Sequence, residues 1–220
     1  DPSVNKLNVM VADLLGKEEA IYLPSGLMAN QISFAVHCND GDEIIMEKTA
    51  HPIHFEAGAT SVISNASINP VEGENGIFTA EQLQTAIRDK DYHSPQTSLV
   101  SIEQTSNLGG GKIWPLETIA EVCQLAHNKG IAIHLDGARL LNAVVATGID
   151  ASQYASYFDS AWIDLSKGLG APVGSVLAGT GEFIEKARYW KQRLGGAMRQ
   201  AGIIAAGGIY ALRNNVERLQ

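Results

Sequence analysis

The chain has 220 residues, of which 45% are hydrophobic and 18% are charged, and its formal net charge is −8. This composition is typical of a globular protein with one sizeable core. The acidic balance, without any basic cluster, excludes a nucleic-acid surface, and no apolar run reaches the ~20 residues of a membrane span. Cys38 and Cys123 form neither a metal-binding pair nor a disulfide framework, so we expect a reducing, cytoplasmic location.

Predicted helices and strands alternate along the chain. Hydrophobic spacing predicts helices over 3–15, from the turn 24–27 to about 37, over 51–58, 79–88 and 116–128, from 138, over 182–193 and from 199 to the end. Strands are predicted over 20–23, 43–47, 98–103, 131–135, 160–165 and 175–178, and an extended segment over 61–67. This alternation predicts an α/β fold with a largely parallel sheet. Both ends of the sequence are abrupt, and we expect a fragment that lacks residues at each end.

Ligands of parallel sheets bind at the carboxyl ends of the strands. That rule predicts one crevice containing Ser25-Gly26, Thr105, Asp136 and Lys167, although they lie far apart in sequence. Ser25-Gly26-Leu27 opens a helix after a strand, and the free amides of a first helical turn attract an anion such as phosphate.

Lys167 follows a predicted strand and has small and apolar neighbours on both sides. We expect a partly dry site in which the ammonium form is disfavoured and the free amine is available for Schiff-base chemistry. The alternative is a lysine that merely ends a buried strand.

Asp136 could hold a proton on a ring nitrogen, while Arg139, three residues on, binds a carboxylate or phenolate. The alternative is that Asp136 is a helix N-cap beside an exposed arginine. His51 and His54 lack the partners of a metal site, and no metal is expected.

Four segments together resemble the low-specificity L-threonine aldolases, pyridoxal-phosphate enzymes of fold type I in the wider β-eliminating-lyase group. The matching segments are 24–30, His51 with 56–58, 135–139 and 165–169, and the resemblance extends over the chain to 195–200. It implies that residues 1–220 are the three-layer αβα large domain, truncated at both ends, with a mostly parallel sheet and without the small carboxyl-terminal domain. It also implies a homo-oligomer, dimer or tetramer, with shared active sites.

The resemblance assigns a role to each site residue. Lys167 would hold pyridoxal 5′-phosphate through a Schiff base, Asp136 would keep the pyridine nitrogen protonated, and His51 would stack on the ring. Ser25, Gly26 and Leu27 would bind the phosphate, and Arg199 would add to the cofactor site. Arg139 would face the ring's phenolic oxygen or, with Ser106, the substrate. The implied reaction is aldol cleavage of L-threonine, L-allo-threonine and related β-hydroxy-α-amino acids to glycine and an aldehyde.

The chain departs from the family pattern at three positions. Leu27 stands where threonine is usual, Gln192 where relatives can carry lysine, and Ser106 where a histidine is frequent, in Glu103-Gln104-Thr105-Ser106-Asn107. Serine cannot act as a base at neutral pH as histidine does. Two alternatives therefore stay open: a pyridoxal-phosphate enzyme that eliminates a β-substituent from another amino acid, and a cofactor-free binding or structural fragment.

Overall fold

The computed structural model describes residues 1–219. Its α-helices are α1 (Pro2–Leu15), α2 (Gly26–His37), α3 (His51–Phe55), α4 (Ala80–Ala86), α5 (Leu116–Asn128), α6 (Leu140–Thr147), α7 (Ala151–Ala155), α8 (Gly181–Arg193) and α9 (Gly202–Asn214). Its strands are β1 (Glu19–Leu23), β2 (Glu43–Glu47), β3 (Ser67–Val71), β4 (Thr97–Glu103), β5 (Ala132–Gly137), β6 (Ser160–Asp164) and β7 (Ser175–Gly179). Within residues 1–219, no helix is both long and apolar enough to cross a membrane.

The seven strands form one sheet in the order β1-β7-β6-β5-β4-β2-β3. Neighbouring strands from β3 to β6 run parallel, whereas β7 is antiparallel to both β1 and β6. One face of the sheet packs against α1, α5, α7 and α9 in the largest core cluster, and the other packs against α2 and α8. The predicted three-layer αβα fold with a mostly parallel sheet is confirmed.

Helix ends are set by local capping. Thr79 and Gln82 form the predicted capping box at the start of α4, in which each side chain bonds the other residue's amide. Asp1 caps α1, and Gly16 ends it in a left-handed conformation with φ of 62°. Between these caps, α1 packs on the core beside β1.

The predicted extended segment 61–67 is wrong over most of its length. Thr60–Ser64 forms a π-helical turn, in which the Ser64 hydroxyl donates to the Thr60 carbonyl over 2.7 Å. Asn65, with φ of 49°, ends this turn, and β3 starts only at Ser67. This segment reads as a strand because it contains the β-branched residues Val62 and Ile63, but the bond from the Ser64 hydroxyl to the backbone favours the turn.

Smaller differences concern helix boundaries. The short helix α7 was not predicted, and the helix predicted from 138 begins at Leu140. The last helix begins at Gly202 rather than at 199, because Gln200 has φ of 49° and cannot join a right-handed helix. This helix ends at Asn214, and one 3₁₀ turn follows. The helix was predicted to continue to Gln220, which lies outside the described residues.

Candidate active site

The turn between β1 and α2 opens the site on its first side. The Ser25 hydroxyl accepts a hydrogen bond from the Met28 amide over 3.2 Å, and the Ser25 carbonyl accepts one from the Ser175 hydroxyl over 2.8 Å. A Cβ atom at Gly26 would overlap the six-membered ring of Trp162, so only glycine allows the helix to start this close to β6. The amides of Gly26 and Leu27 have no hydrogen-bond acceptor within residues 1–219.

Asp136 stands near the carboxyl end of β5 and is only 2% exposed. Its Oδ2 accepts from the Asn30 side-chain amide over 2.8 Å, and its Oδ1 accepts from the Ala138 backbone amide over 3.0 Å. Burial raises the pKa of Asp136, and the hydrogen bond from Asn30 opposes that effect. The carboxylate is therefore fixed in orientation by two donors from different elements.

Lys167 follows β6 in a turn that Asp164 organises. Asp164 Oδ1 accepts from the Ser166 amide over 2.6 Å, from its hydroxyl over 2.8 Å and from the Lys167 amide over 3.1 Å. Asp164 Oδ2 lies 3.3 Å from Lys167 Nζ, which sits 5.6 Å from the centre of the Trp162 ring. The site is partly dry, since 36% of the lysine side chain is exposed, but its surroundings are not purely apolar, because a carboxylate flanks the amine.

His51 begins α3, shortly after β2. Its Nδ1 lies 2.9 Å from Oε1 of Glu56, whose side chain is completely buried, whereas the histidine side chain is 31% exposed. This hydrogen bond raises the pKa of His51. Glu56 also accepts from the side-chain amides of Asn30 over 2.9 Å and Gln31 over 2.6 Å. The imidazole is thus oriented by a carboxylate that is itself fully hydrogen-bonded.

One cavity of about 270 Å³ unites these residues. The predicted residues that line it are Ser25, Gly26, Leu27, His51, Asp136 and Lys167. Asn30, Trp162, Asp164 and Ser166 also line it and were not predicted. Of these four residues, Asp164 could have been identified from the sequence. An aspartate two residues before a serine at a strand end is typical of a turn that the aspartate side chain caps.

Four predicted residues do not line this cavity, and the first is Thr105, which the strand-end rule placed in the crevice. Ser106 is buried, its hydroxyl accepts from the Gly109 amide over 3.2 Å, and a Cβ atom at Gly76 would overlap it, so its predicted contact with a substrate gets no support from this geometry. Arg199 is exposed and lines a separate cavity of about 390 Å³. Arg139 precedes α6, and its amide donates to the Gln104 carbonyl over 3.1 Å.

Glu103 is a buried acid beside the site that sequence reasoning gave no role. It lies opposite Asp136 in the register of the parallel strands β4 and β5. Burial, and then the charge of Asp136, raise the pKa of Glu103 to about 8, while the nearby charges of His51 and Arg139 oppose the rise. Its Oε2 has no hydrogen-bond partner within the described residues. The site therefore keeps Glu103 neutral near pH 7.

Known proteins resemble this chain along its whole length. Low specificity L-threonine aldolase from Escherichia coli (strain K12) is 43% identical over 221 residues, which cover 100% of this chain and 66% of that protein. Probable low-specificity L-threonine aldolase 2 from Arabidopsis thaliana is 40% identical over 224 residues, which cover 100% of this chain and 63% of that protein. The chain thus spans no more than about two thirds of the length of these relatives.

Solved structures share the fold. A putative L-allo-threonine aldolase from Listeria monocytogenes superimposes with a TM-score of 0.88 at 24% identity, over 100% of this chain and 60% of the other. Threonine aldolase from Leishmania major gives a TM-score of 0.87 at 18% identity, over 99% of this chain and 64% of the other. The family model described as "Beta-eliminating lyase" matches residues 1–220. The chain therefore belongs to the beta-eliminating lyase family.

Proposed function

We propose that residues 1–220 are the large, cofactor-binding domain of a pyridoxal-phosphate-dependent aldehyde-lyase. Its substrates are L-threonine, L-allo-threonine and related β-hydroxy-α-amino acids, which it cleaves to glycine and an aldehyde. The observation that carries the proposal is that Lys167, Asp136 and His51 come from three separate strand ends and line one cavity. The names of the relatives, low-specificity L-threonine aldolases, support the choice of reaction.

The residues present fit pyridoxal 5′-phosphate, on which the beta-eliminating lyases depend. The amides of Gly26 and Leu27 lack acceptors within residues 1–219 and stand at the positive end of α2, where a phosphate binds well. Gly26 leaves the space that a side chain would fill. Asp136 offers a buried carboxylate to a ring nitrogen, and Lys167 offers an amine to an aldehyde. Leu27 contributes its amide only, because it lacks a hydroxyl.

When bound, the cofactor supplies a sink for the electrons left on the substrate Cα atom after the Cα–Cβ bond breaks. Asp136 holds the ring-nitrogen proton that makes this sink effective, since a buried anion stabilises an adjacent positive charge. His51 removes the proton of the β-hydroxyl. Its Nδ1–H is held by Glu56, so that in the neutral ring the lone pair is on Nε2. The Ser106 hydroxyl accepts from the Gly109 amide, and the alternative to His51 as the proton acceptor is an ordered water. His51 is favoured because it lines the cavity.

Other parts of the proposal concern the whole protein. Arg139 would bind the substrate carboxylate, and Arg199, exposed in a separate cavity, would serve the cofactor site of a neighbouring subunit in a homo-oligomer. Cys38 and Cys123 are both free thiols, which supports a reducing, cytoplasmic location.

The test uses the full-length gene product. We expect a visible absorption band that borohydride bleaches, and release of glycine and acetaldehyde from threonine. Lys167→Ala should lose both the band and the activity, whereas Lys129→Ala, at an exposed lysine remote from the cavity, should keep both. Asp136→Ala should bind the cofactor but lose at least about tenfold in turnover, since a hydrogen bond to a charged group contributes about 1.5–3 kcal/mol. A borohydride-reducible adduct in Lys167→Ala would place the anchor at another lysine and refute the proposal.

Elimination of a β-substituent is the second candidate reaction. The observation in its favour is the lack of an imidazole at position 106, where the aldolases often carry one. Elimination from an amino acid yields ammonia and a keto acid, whereas aldol cleavage yields glycine and an aldehyde. Product analysis on serine, threonine and phenylserine therefore separates the two reactions.

A further inference from the structure

A line of polar side chains runs beneath α2, between that helix and the sheet. It consists of Asn30 and His37 on α2, His134 on β5 and Ser160 on β6. Asn30 is 1% exposed, and His134 and Ser160 are completely buried. Asn30 and His37 are seven residues apart, so the line extends about 10 Å along the helix, at ~1.5 Å per residue. It starts at the cavity that holds Asp136 and ends at a separate cavity lined by His37.

Trp162 fixes the orientation of the Asn30 amide. Its indole Nε1 lies 2.7 Å from Asn30 Oδ1, and an indole nitrogen can only donate. The atom that receives this bond is therefore the amide oxygen, and the amide nitrogen faces the opposite way. That nitrogen donates to Asp136 Oδ2 over 2.8 Å and to Glu56 Oε1 over 2.9 Å.

The direction of every other bond in the line follows from this one. His134 Nε2 lies 3.3 Å from Asn30 Oδ1, which is an acceptor, so His134 must carry its proton on Nε2. Its Nδ1 then accepts from the Ser160 hydroxyl over 2.8 Å. The Ser160 oxygen, having donated its proton, accepts from His37 Nε2 over 2.8 Å. The bonds run in one direction, from His37 through Ser160, His134 and Asn30 to Asp136.

We propose that Asn30 is the positioning residue shared by Asp136 and the His51–Glu56 pair. The hydrogen bonds that run through His37, Ser160 and His134 hold the Asn30 amide in the orientation that this role requires. The proposal deepens the function proposed above and rests on it. One amide group orients both the carboxylate meant for the cofactor ring and the carboxylate that orients the proposed base. A reversed amide would direct its oxygen at two carboxylates, which is repulsive in a buried site.

The protonation states agree with this role. Burial lowers the pKa of His37 to about 4 and holds the pKa of His134 well below its ordinary value. Both rings are therefore neutral near pH 7 and carry one proton each, as a one-directional line requires. The far end is also packed, since the His37 ring stacks on Phe183 at a centroid distance of 4.9 Å.

Two substitutions interrupt the line at different points. Ser160→Ala removes the donor to His134 Nδ1 and the acceptor of His37 Nε2, so two buried ring nitrogens lose this partner and the His134 ring is less firmly held against Asn30. His134→Leu removes the donor to Asn30 altogether, whereas His134→Gln keeps one donor and one acceptor. The matched control is Ser33→Ala, because Ser33 is a buried serine on the same helix whose hydroxyl donates to the Ala29 carbonyl, outside the line.

The experiment measures three properties of the full-length protein: the visible spectrum of the bound cofactor, the Kd of pyridoxal phosphate, and kcat and KM on threonine. In Ser160→Ala and His134→Leu we expect a shift in the wavelength of the visible band and a larger Kd for pyridoxal phosphate. We also expect kcat to fall by about tenfold, with KM changed less than about twofold. His134→Gln should recover most of the loss, and Ser33→Ala should match the unsubstituted protein.

Thermal unfolding midpoints identify variants that fold. If His134→Leu does not fold, Ser160→Ala decides alone. An unchanged spectrum and Kd in folded Ser160→Ala would overturn the inference, as would an equal loss in Ser33→Ala. Failure of the unsubstituted protein to bind pyridoxal phosphate is a different result, which would overturn the proposed function first.

Discussion

His51 Nδ1 lies 2.9 Å from Glu56 Oε1, and this pair joins an accessible imidazole to a completely buried carboxylate. The hydrogen bond from His51 to Glu56 raises the pKa of the imidazole above its ordinary value of 6.5. The charged pair therefore stabilises the fold fully at pH values below about 6.5, the pKa of an unfolded histidine. That contribution is lost as the pH rises through the higher pKa of the folded protein.

Glu56→Gln should lower the pKa of His51, because it removes the charge that favours the imidazolium form. NMR titration of the His51 ring protons between pH 5 and 9 measures this directly. Glu121→Gln, at an exposed carboxylate on α5, is the control and should leave the His51 titration unchanged. An identical midpoint in Glu56→Gln and the unsubstituted protein would show that the contact does not govern the charge of His51.

Glu103 should make the protein less stable as the pH rises from about 4.5 to about 8. The folded protein keeps the carboxyl proton up to about pH 8, whereas the unfolded chain loses it near pH 4.5. Folding thus binds a proton in this interval, and the free energy of unfolding falls with increasing pH. Glu103→Gln, which keeps the shape without the titration, should raise the unfolding midpoint at pH 8 and flatten its pH dependence.

Midpoints measured by circular dichroism from pH 5 to 9 would check this expectation. Glu121→Gln again serves as control, since its carboxylate is exposed and its removal should leave the slope unchanged. A slope as steep in Glu103→Gln as in the unsubstituted protein would assign the pH dependence to other groups, of which buried Asp136 is the first to examine.

Gly26→Ala should damage both the fold and the cofactor site. The added Cβ atom would overlap the Trp162 ring, so α2 must shift away from β6. Overpacking of this kind costs about 1–3 kcal/mol, and the amides of Gly26 and Leu27 would move with the helix. Urea unfolding and the Kd of pyridoxal phosphate measure the two effects.

Gly181→Ala is the matched control, because Gly181 is also the first residue of a helix and a Cβ atom added there would lie 3.6 Å from its nearest neighbour. We expect no loss of stability there. If Gly26→Ala bound the cofactor with unchanged Kd while remaining equally stable, the turn before α2 would not be the phosphate site.

The sequence predicts most of the parallel strands because strand and helix periods alternate from Glu43 to Asp164. The exception is β3, since the extended segment predicted before it forms a π-helical turn. The sequence also predicts that Asp136 and Lys167 meet, since both follow parallel neighbouring strands and such strands end at one edge. β7 has the same apolar composition as its neighbours, so composition does not predict that it runs antiparallel to β6. Gly174, directly before β7, lies in the left-handed region with φ of 108°.

The residues that support the site were harder to predict. Asn30 and Gln31 read as ordinary polar positions of a helix, and their role depends on Glu56, about 25 residues later. The pKa of Glu103 is raised by burial and then by the charge of Asp136 in the neighbouring strand, and no local sequence pattern predicts either. Lys167 was identified from its apolar flanks, but Asp164, three residues before it, sets the environment of its amine.

Ser106 is the position where the structure changes the expectation most. The family resemblance places it near the substrate hydroxyl, yet its own hydroxyl accepts from the Gly109 amide and packs against Gly76. Ser106→Ala should therefore lose only that bond, about 0.5–1.5 kcal/mol of stability. Its relative kcat/KM values on threonine, allo-threonine and phenylserine should match those of the unsubstituted protein.

Ser106→His tests the same position by adding bulk. No space is available beside Gly76, whose φ of 82° belongs to a tight turn, so the imidazole must displace that turn. We expect a loss of about 1–3 kcal/mol in the free energy of unfolding, without a gain in kcat/KM on threonine, because the new ring starts from a side chain that does not line the cavity. Unfolding in urea and kinetics on the three substrates provide the measurement. A gain on threonine of about 10²-fold or more, the size of general acid–base assistance, would show that a histidine at position 106 reaches the substrate, and His51 would no longer be the only side chain proposed as the base.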